Sequence, residues 1–363
     1  MLKKGEEIAI WGSGSTAKKT YYLRCRDYKV VCFYDNNKAK WGSEIYGIPI
    51  IKFNDKARLK IIISSVHWKE ISGQLMQAGL KPFTDFIPYC FLGNSFISYE
   101  ELFELGCHNI SELIQELKGQ REIAVLYGNC QTAILANILS MEQSFSEKYL
   151  IVKIPAVCDY ISKGGRHKVC WDHLLEQNEF WKQIGLFIYQ KVAVTNRFSE
   201  KLATSAIVKK LSAGCRLVKI VNIYFSGYFL QAVRNQHNYM DDIHQSGLYP
   251  FGDKYIDEMS AQGLSVDEIL EKIEREDFFS TDAVYKAVEQ SLLELKKREE
   301  DVDVVISDYI SENYDKRQLF YSFNHPINEV LVEYVWRILD FLGLRVWGGG
   351  ELTKQISILL HAV

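Results

Sequence analysis

Apolar residues recur along the chain as short continuous runs separated by amphipathic stretches, the pattern of buried parallel strands alternating with helices. Ile8-Ala9-Ile10-Trp11 is the first run, Lys29–Tyr34 the second and residues 59–65 the third, with 18–27 reading as a helix between the first two. Gly79-Leu80-Lys81-Pro82 and Phe86-Ile87-Pro88 end this region near residue 95. Residues 96–118 place Leu102, Leu105, Leu113, Ile114 and Leu117 at mixed helical spacing and predict a linker helix. A second series of strands is expected at 123–127, 150–154, 185–189, 216–221 and 302–307. Helices are expected at 132–140, along the stripe Val284, Val288, Leu292 and Leu295, and most clearly through 330–342, with Pro326 in the first turn of that last helix. The pattern predicts an α/β protein: a parallel-sheet domain over 1–95, a helical linker over 96–120, a larger α/β domain with helical insertions over 121–345 and a tail over 346–363.

The 363 residues are 47% hydrophobic and 25% charged, an ordinary globular balance that excludes wholesale disorder and suits two domains. Net charge is −3, but residues 1–95 hold 15 Lys/Arg against 8 Asp/Glu, a surplus of 7 that leaves −10 for the rest. That basic first quarter suits a phosphate-bearing ligand and is too weak for a nucleic-acid partner. The acidic side concentrates in 253–303, with 16 acidic against 7 basic residues, and reads as a solvated helix face. The eight cysteines (25, 32, 90, 107, 130, 158, 170 and 215) form no CxxC pair, which predicts reduced thiols and a cytoplasmic location. The first apolar run, four residues long, is too short for a secretory signal, and no stretch approaches a spanning helix. The apolar end 356–363 follows Gly348-Gly349-Gly350; it is expected to pack on its own fold or on a second subunit, with membrane-surface contact as the alternative.

Candidate chemistry appears first in Gly12-Ser13-Gly14-Ser15-Thr16-Ala17, a glycine turn between a strand and a helix. With Asp35 at the end of the second strand, this is the spacing of a Rossmann-like nucleotide-binding βαβ unit. Gly12, Ser13, Gly14 and Ser15 would offer amides to a phosphate, and Asp35 would accept from a ribose or base edge. The competing reading is a domain of the same shape that serves only as scaffold. Asp35-Asn36-Asn37, Trp41-Gly42 and Tyr46-Gly47-Ile48-Pro49-Ile50 resemble the sugar-nucleotide-binding domains of PglD-type sugar acyltransferases. His67, after the third strand, is a further ligand candidate, with a partly exposed loop histidine as its equal alternative, and nothing indicates hydride chemistry.

In the second domain Cys130 lies in Gly128-Asn129-Cys130-Gln131, at the turn from a buried strand into a helix. There the helix amino end favours a thiolate, and the Cys130 and Gln131 amides, with Asn129, could hold a developing oxyanion. The plain alternative is a packed small hydrophobe. His325, in Asn324-His325-Pro326 before the last helix, is the base candidate, with a helix-capping role as its alternative. His167, Cys170 and His173 fit no zinc spacing, so no metal is expected, and His237 and His244 are expected to face solvent.

Five segments occur in order: Gly128-Asn129-Cys130-Gln131, Phe187-Ile188-Tyr189-Gln190, Asn222 with Phe225-Ser226-Gly227-Tyr228, Tyr249-Pro250-Phe251-Gly252-Asp253, and Asn324-His325-Pro326. Together they resemble the WcbI-type capsular polysaccharide biosynthesis family over residues 121–345. The resemblance implies an SGNH-hydrolase-like domain and a coenzyme A-dependent acetyltransferase acting on capsule sugars. By the same resemblance Cys130 takes the place of the SGNH nucleophile, His325 is its base, and Gln190, Asn222 and Asn324 line the pocket. SGNH enzymes carry an aspartate three residues before the histidine, where this chain has Ser322; Asp308 and Asp253 are the alternative carboxylates.

The expected activity is transfer of acetyl, or another small acyl group, from coenzyme A to a hydroxyl of a polysaccharide sugar or its nucleotide-linked precursor. A glycan deacylase and a non-catalytic scaffold of a polysaccharide assembly complex are the alternatives. Peripheral contact with a membrane-bound capsule assembly complex and a homo-oligomeric state are the remaining expectations.

Overall fold

The computed structural model describes residues 2–54, 59–91, 96–107, 109–162, 166–194, 200–234 and 251–344. His237, His244, Tyr249, Pro250 and the tail 346–363, all named above, lie outside the described residues. The chain forms two compact units, Met1–Ile114 and Gln115–Val363.

The first unit is built on β1 (Glu7–Trp11), α1 (Ser15–Arg24), β2 (Lys29–Tyr34), β3 (Glu44–Ile45), β4 (Ile48–Ile51), β5 (Lys60–Ile63), α2 (Trp68–Gln77) and β6 (Phe86–Pro88). Its sheet runs β3-β4-β2-β1-β5-β6. All neighbours are parallel except the β3–β4 hairpin. Ile8, Ala9 and Ile10 of the central strand are fully buried, which explains their continuous apolar run. The chain crosses from β2 on one side of β1 to β5 on the other, and this switch opens a crevice at the strands' carboxyl ends. α1 starts at Ser15, three residues before the expected helix, because Gly14 already provides the extended N-cap.

Residues 96–118 do not form the single linker helix expected from their leucines. They give β7 (Phe96–Ser98), α3 (Tyr99–Glu104) and α4 (Ile110–Lys118). The Ser98 hydroxyl caps α3 by accepting from the Glu101 amide at 3.3 Å. Gly106, at φ 66°, takes the left-handed turn that ends it.

The second unit continues with β8 (Glu122–Tyr127), α5 (Gln131–Met141), α6 (Gln143–Lys148), β9 (Tyr149–Lys153), α7 (Asp159–Ser162), α8 (Arg166–Glu176), α9 (Asn178–Lys182), β10 (Ile184–Gln190), α10 (Thr204–Val208) and β11 (Arg216–Ile220). These strands lie parallel in the order β11-β10-β8-β9. The unit is completed by the β12 (Ala232–Arg234) and β13 (Phe251–Asp253) pair, then α11 (Lys254–Ala261), α12 (Val266–Ile273), α13 (Thr281–Glu299), α14 (Ser307–Asn313), β14 (Phe320–Ser322), β15 (His325–Pro326) and α15 (Asn328–Leu342). α15 buries Val330, Leu331, Tyr334, Val335, Ile338 and Leu339, and the Tyr334 hydroxyl accepts from the Val221 amide at 2.7 Å, pinning the helix to the end of β11.

Two local expectations are corrected here. The run 302–307 is not a strand: Val304 makes one parallel bridge to Ile220, and α14 then begins. The cause is Glu299, whose buried carboxylate accepts from the amides of Ile306 at 2.7 Å and Ser307 at 3.1 Å and so supplies the helix start. Pro326 is not in the first turn of α15. It pairs with Phe320 in the β14–β15 hairpin, and the helix starts at Asn328 with Ile327 as N-cap. The acidic stretch forms α11 to α13, whose buried positions are Met259, Ile269, Val288, Ser291, Leu295 and Glu299. Among the described residues no helix is long and apolar enough to cross a membrane.

Candidate functional site

Strand β8 delivers Gly128-Asn129-Cys130 to the amino end of α5, and Gln190 at the end of the neighbouring β10 fixes the turn. A Cβ on Gly128 would fall 2.3 Å from Gln190 Oε1, so only glycine allows this approach. The same Oε1 accepts from the Asn129 amide at 2.9 Å. The Asn129 carbonyl accepts from the Thr132 amide at 3.1 Å and from the Thr132 hydroxyl at 2.7 Å. Cys130 stands exposed at the N-cap of α5.

The oxyanion role expected of the Gln131 amide is corrected by its geometry: that N–H donates to Asn129 Oδ1 at 3.0 Å. Asn129 Nδ2 makes no hydrogen bond among the described residues and is the donor left beside Cys130. Gln131 is held through its side chain as well. Its side chain is buried, with Nε2 donating to the carbonyls of Ile223 at 2.8 Å and Asn324 at 2.9 Å while Oε1 accepts from the Ile223 amide at 3.0 Å. It therefore ties the cysteine turn to two distant loops.

One of those loops is the hairpin that presents His325. Ser322 Oγ lies 2.6 Å from His325 Nδ1 and 3.0 Å from Asn324 Oδ1. The assignment that satisfies all three has Ser322 donating to Asn324 and accepting Nδ1–H from the imidazole, which leaves the Nε2 lone pair free for a proton. Neither carboxylate considered from the sequence orients this ring. Asp308 pairs with Arg337 at 2.6 Å, and Asp253 caps α11 by accepting from Tyr255 and Ile256.

The other loop, 222–226, is held on every side. Phe225 N–H donates to the Phe323 carbonyl at 2.8 Å, Tyr224 stacks on Phe323 at 6.1 Å, and Ser226 N–H donates to the Ser291 hydroxyl at 2.9 Å. Arg298 of α13 donates to the Asn222 carbonyl at 2.8 Å and to its Oδ1 at 3.1 Å, with its guanidinium 5.1 Å from the Tyr224 ring. Asn222 thus lies in the same loop cluster, with its side-chain oxygen already engaged.

Three features of this site carry no signal in the sequence. Arg298 is separated from Asn222 by 76 residues. Gln190 Nε2 is buried without a hydrogen-bond partner among the described residues, and its identity is fixed by Oε1 facing the Asn129 amide. Cys158 is brought alongside by the Val157 amide, which donates to the Gly128 carbonyl at 2.9 Å. Burial pushes the Cys158 thiol up to about 11, with Asp159 and Cys130 adding to the rise and a hydrogen bond from the Cys130 amide opposing it.

A separate cleft of about 470 Å³ lies in the first unit and is lined by Gly12, Ser13, Gly14, Ser15 and Asp35, together with Lys40 and His67. All five residues expected to meet a nucleotide therefore share one cavity. Gly12, at φ 120°, is required because a Cβ would fall 2.3 Å from the Ser64 carbonyl oxygen. Asp35 accepts from the Ser13 hydroxyl, from the Asn37 amide at 2.8 Å and from Lys40 at 3.1 Å. Burial works to raise its pKa, but these three donors outweigh it and hold the carboxyl below its ordinary range. Among the described residues no three His, Cys, Asp or Glu side chains cluster to hold a metal.

Comparison with known proteins places these features. Residues 4–82 match the family described as C2185-like, N-terminal. No curated protein matches the chain. A solved structure described as WcbI, a novel polysaccharide biosynthesis enzyme, in a native form without a disulfide bond between coenzyme A and one of its cysteines, is similar in fold. It aligns with a TM-score of 0.53 and 21% identity over 62% of this chain and 71% of that one. Residues 123–346 match the family described as Polysaccharide biosynthesis enzyme WcbI. That span is more than half of the chain and contains the whole Cys130–His325 site, and the protein belongs to the WcbI family of polysaccharide biosynthesis enzymes.

Proposed function

We propose that the second unit transfers a small acyl group, acetyl in the simplest case, from coenzyme A to a hydroxyl of a polysaccharide sugar or its nucleotide-linked precursor. The observation that carries this reading is the Gln131 bridge, which joins the turn bearing exposed Cys130 to the hairpin bearing His325. The coenzyme A named for the similar WcbI structure supports the choice of donor. His325 Nε2 takes the proton of the acceptor hydroxyl, whose oxygen attacks the thioester carbonyl. Asn129 Nδ2 stabilises the oxyanion, and the thiolate of coenzyme A leaves with the proton returned by the imidazolium. The products are the acyl ester and free coenzyme A.

A covalent route uses the same residues: Cys130 first takes the acyl group as a thioester and the activated hydroxyl then removes it. Intact-mass measurement after acetyl-coenzyme A without acceptor separates the two, since only the covalent route adds an acetyl group to Cys130. Calorimetric titration of coenzyme A into the full chain tests the shared reading, and absence of saturable binding contradicts it. In this reading the cleft of the first unit holds the nucleotide-linked sugar, with the glycine-turn amides and Lys40 at its phosphates. The second unit is SGNH-like in this account, with Ser322 replacing the usual carboxylate. Acetate release from an acetylated glycan without coenzyme A would favour a hydrolase instead.

A further inference from the structure

We infer that Cys130 and Cys158 form a dithiol site that exchanges with low-molecular-weight disulfides and closes into an internal disulfide. The two side chains stand at the carboxyl ends of neighbouring parallel strands, Cys130 in the turn after β8 and Cys158 in the turn after β9. Both are reduced, Cys130 exposed and Cys158 half-buried.

Backbone and indole contacts hold the two turns together. The Val157 amide donates to the Gly128 carbonyl at 2.9 Å, and the Asp159 amide closes the second turn onto the Ala156 carbonyl at 2.9 Å. The Trp171 indole N–H donates to that same carbonyl at 3.4 Å, and both Val157 and Trp171 are buried. The turn carrying Cys158 is therefore fixed on each side of the sulfur. That sulfur accepts a hydrogen bond from the Cys130 amide. Only Cα and Cβ separate this nitrogen from the Cys130 sulfur, so side-chain rotation, without movement of the backbone, brings the two sulfurs together.

The surroundings give the two thiols different parts in the exchange. The amino end of α5 favours the thiolate at Cys130. Burial keeps Cys158 protonated, and so does Asp159, whose Oδ1 lies 3.9 Å from its sulfur. The Cys130 thiolate attacks one sulfur of the external disulfide RSSR, the S–S bond breaks, RS⁻ leaves, and Cys130 carries a mixed disulfide. Cys158 then attacks the Cys130 sulfur; the Cys130–Cys158 bond forms, the mixed S–S bond breaks, and the second R group leaves as RSH with the Cys158 proton. One external disulfide is reduced and the protein pair is oxidised. Cys158 is a poor nucleophile towards reagents in bulk solution, but its placement beside Cys130 supplies the effective concentration that the second step needs. The closed pair takes Cys130 out of reach of any electrophile until a thiol reduces it. None of this requires coenzyme A or acyl transfer.

The test incubates the full chain with excess hydroxyethyl disulfide at mildly alkaline pH, quenches with acid and maps the unreduced peptides by mass spectrometry. Wild type is expected to give a peptide pair joined through Cys130 and Cys158. It should carry about tenfold less hydroxyethyl adduct on Cys130 than Cys158→Ser, which lacks the resolving thiol. Cys158→Ala, apolar at the same half-buried position, should accumulate the same adduct, so the result does not depend on how one variant folds. Dithiothreitol should restore both thiols in wild type. An adduct on Cys130 as abundant in wild type as in both Cys158 variants overturns the inference, as does no reaction at Cys130 or a cross-link of either cysteine to a third. Because the reagent carries no coenzyme A, failure here and failure of the acyl-transfer reading are separate results.

Discussion

Gln131 Nε2 stands 2.9 Å from the carbonyl oxygen of Asn324, across 193 residues of sequence. Through this bond one buried carboxamide sets the distance between the Cys130 turn and the His325 hairpin. Gln131→Leu leaves the carbonyls of Ile223 and Asn324 and the Ile223 amide without their partner. The substitution is expected to lower stability by about 3 kcal/mol and acyl transfer by about 100-fold, because the reacting groups lose their relative placement. Thermal unfolding and initial rates check both, and a folded variant with wild-type rate would contradict the bridging role.

Ser322 holds the His325 ring through Nδ1. Ser322→Ala frees the ring and should lower kcat about 30-fold with little change in KM. Ser322→Asp restores an acceptor for Nδ1–H and should recover most of that loss. A kcat in Ser322→Ala equal to that of wild type would contradict the positioning role.

Exposed Cys130 and its buried neighbour should differ sharply towards alkylating agents. At pH 8 a thiol raised to about 11 is thiolate to only about one part in a thousand, so Cys158 should label slowly. Cys25 and Cys90, pushed up to about 12 by burial, should be slower still. Peptide mapping after brief iodoacetamide treatment is expected to find Cys130 first, and coenzyme A is expected to protect it. Labelling of Cys130 that coenzyme A leaves unchanged would remove the cofactor from this site.

Asp35 makes a pH prediction for the first unit. Its folded pKa lies below the ordinary value of 3.8, so its contribution to stability is complete above that value and is lost as pH falls through the lower, folded one. Asp35→Asn should lower stability at neutral pH and flatten the acid limb of the stability curve below about pH 4. A parallel offset at all pH values would mean that charge is not the source.

The central strands were legible because each is a continuous, fully buried apolar run, as in Ile8-Ala9-Ile10 and Ile123-Ala124-Val125, whereas the half-exposed strands Glu44–Ile45 and Ile48–Ile51 give no such pattern. The linker misled because its leucines fit one helix, whereas Ser98 and Gly106 impose a start and a stop that periodicity does not register. Val304 and Ile306 mimic a strand, since the Glu299 carboxylate that begins the next helix is a tertiary partner. The same limit governs the site. Cys130 and His325 stand out through their neighbours in sequence, while Gln131's bridge, Arg298's hold on Asn222 and Cys158's approach are contacts that only folding creates.

The most direct test of acyl transfer at this site uses acetyl-coenzyme A labelled in its acetyl group and polysaccharide purified from cells that lack the protein. The account predicts label in the polysaccharide with wild type and at least a 100-fold loss with His325→Ala, about the contribution of a general base. No label transfer by wild type, or undiminished transfer by His325→Ala, would contradict it.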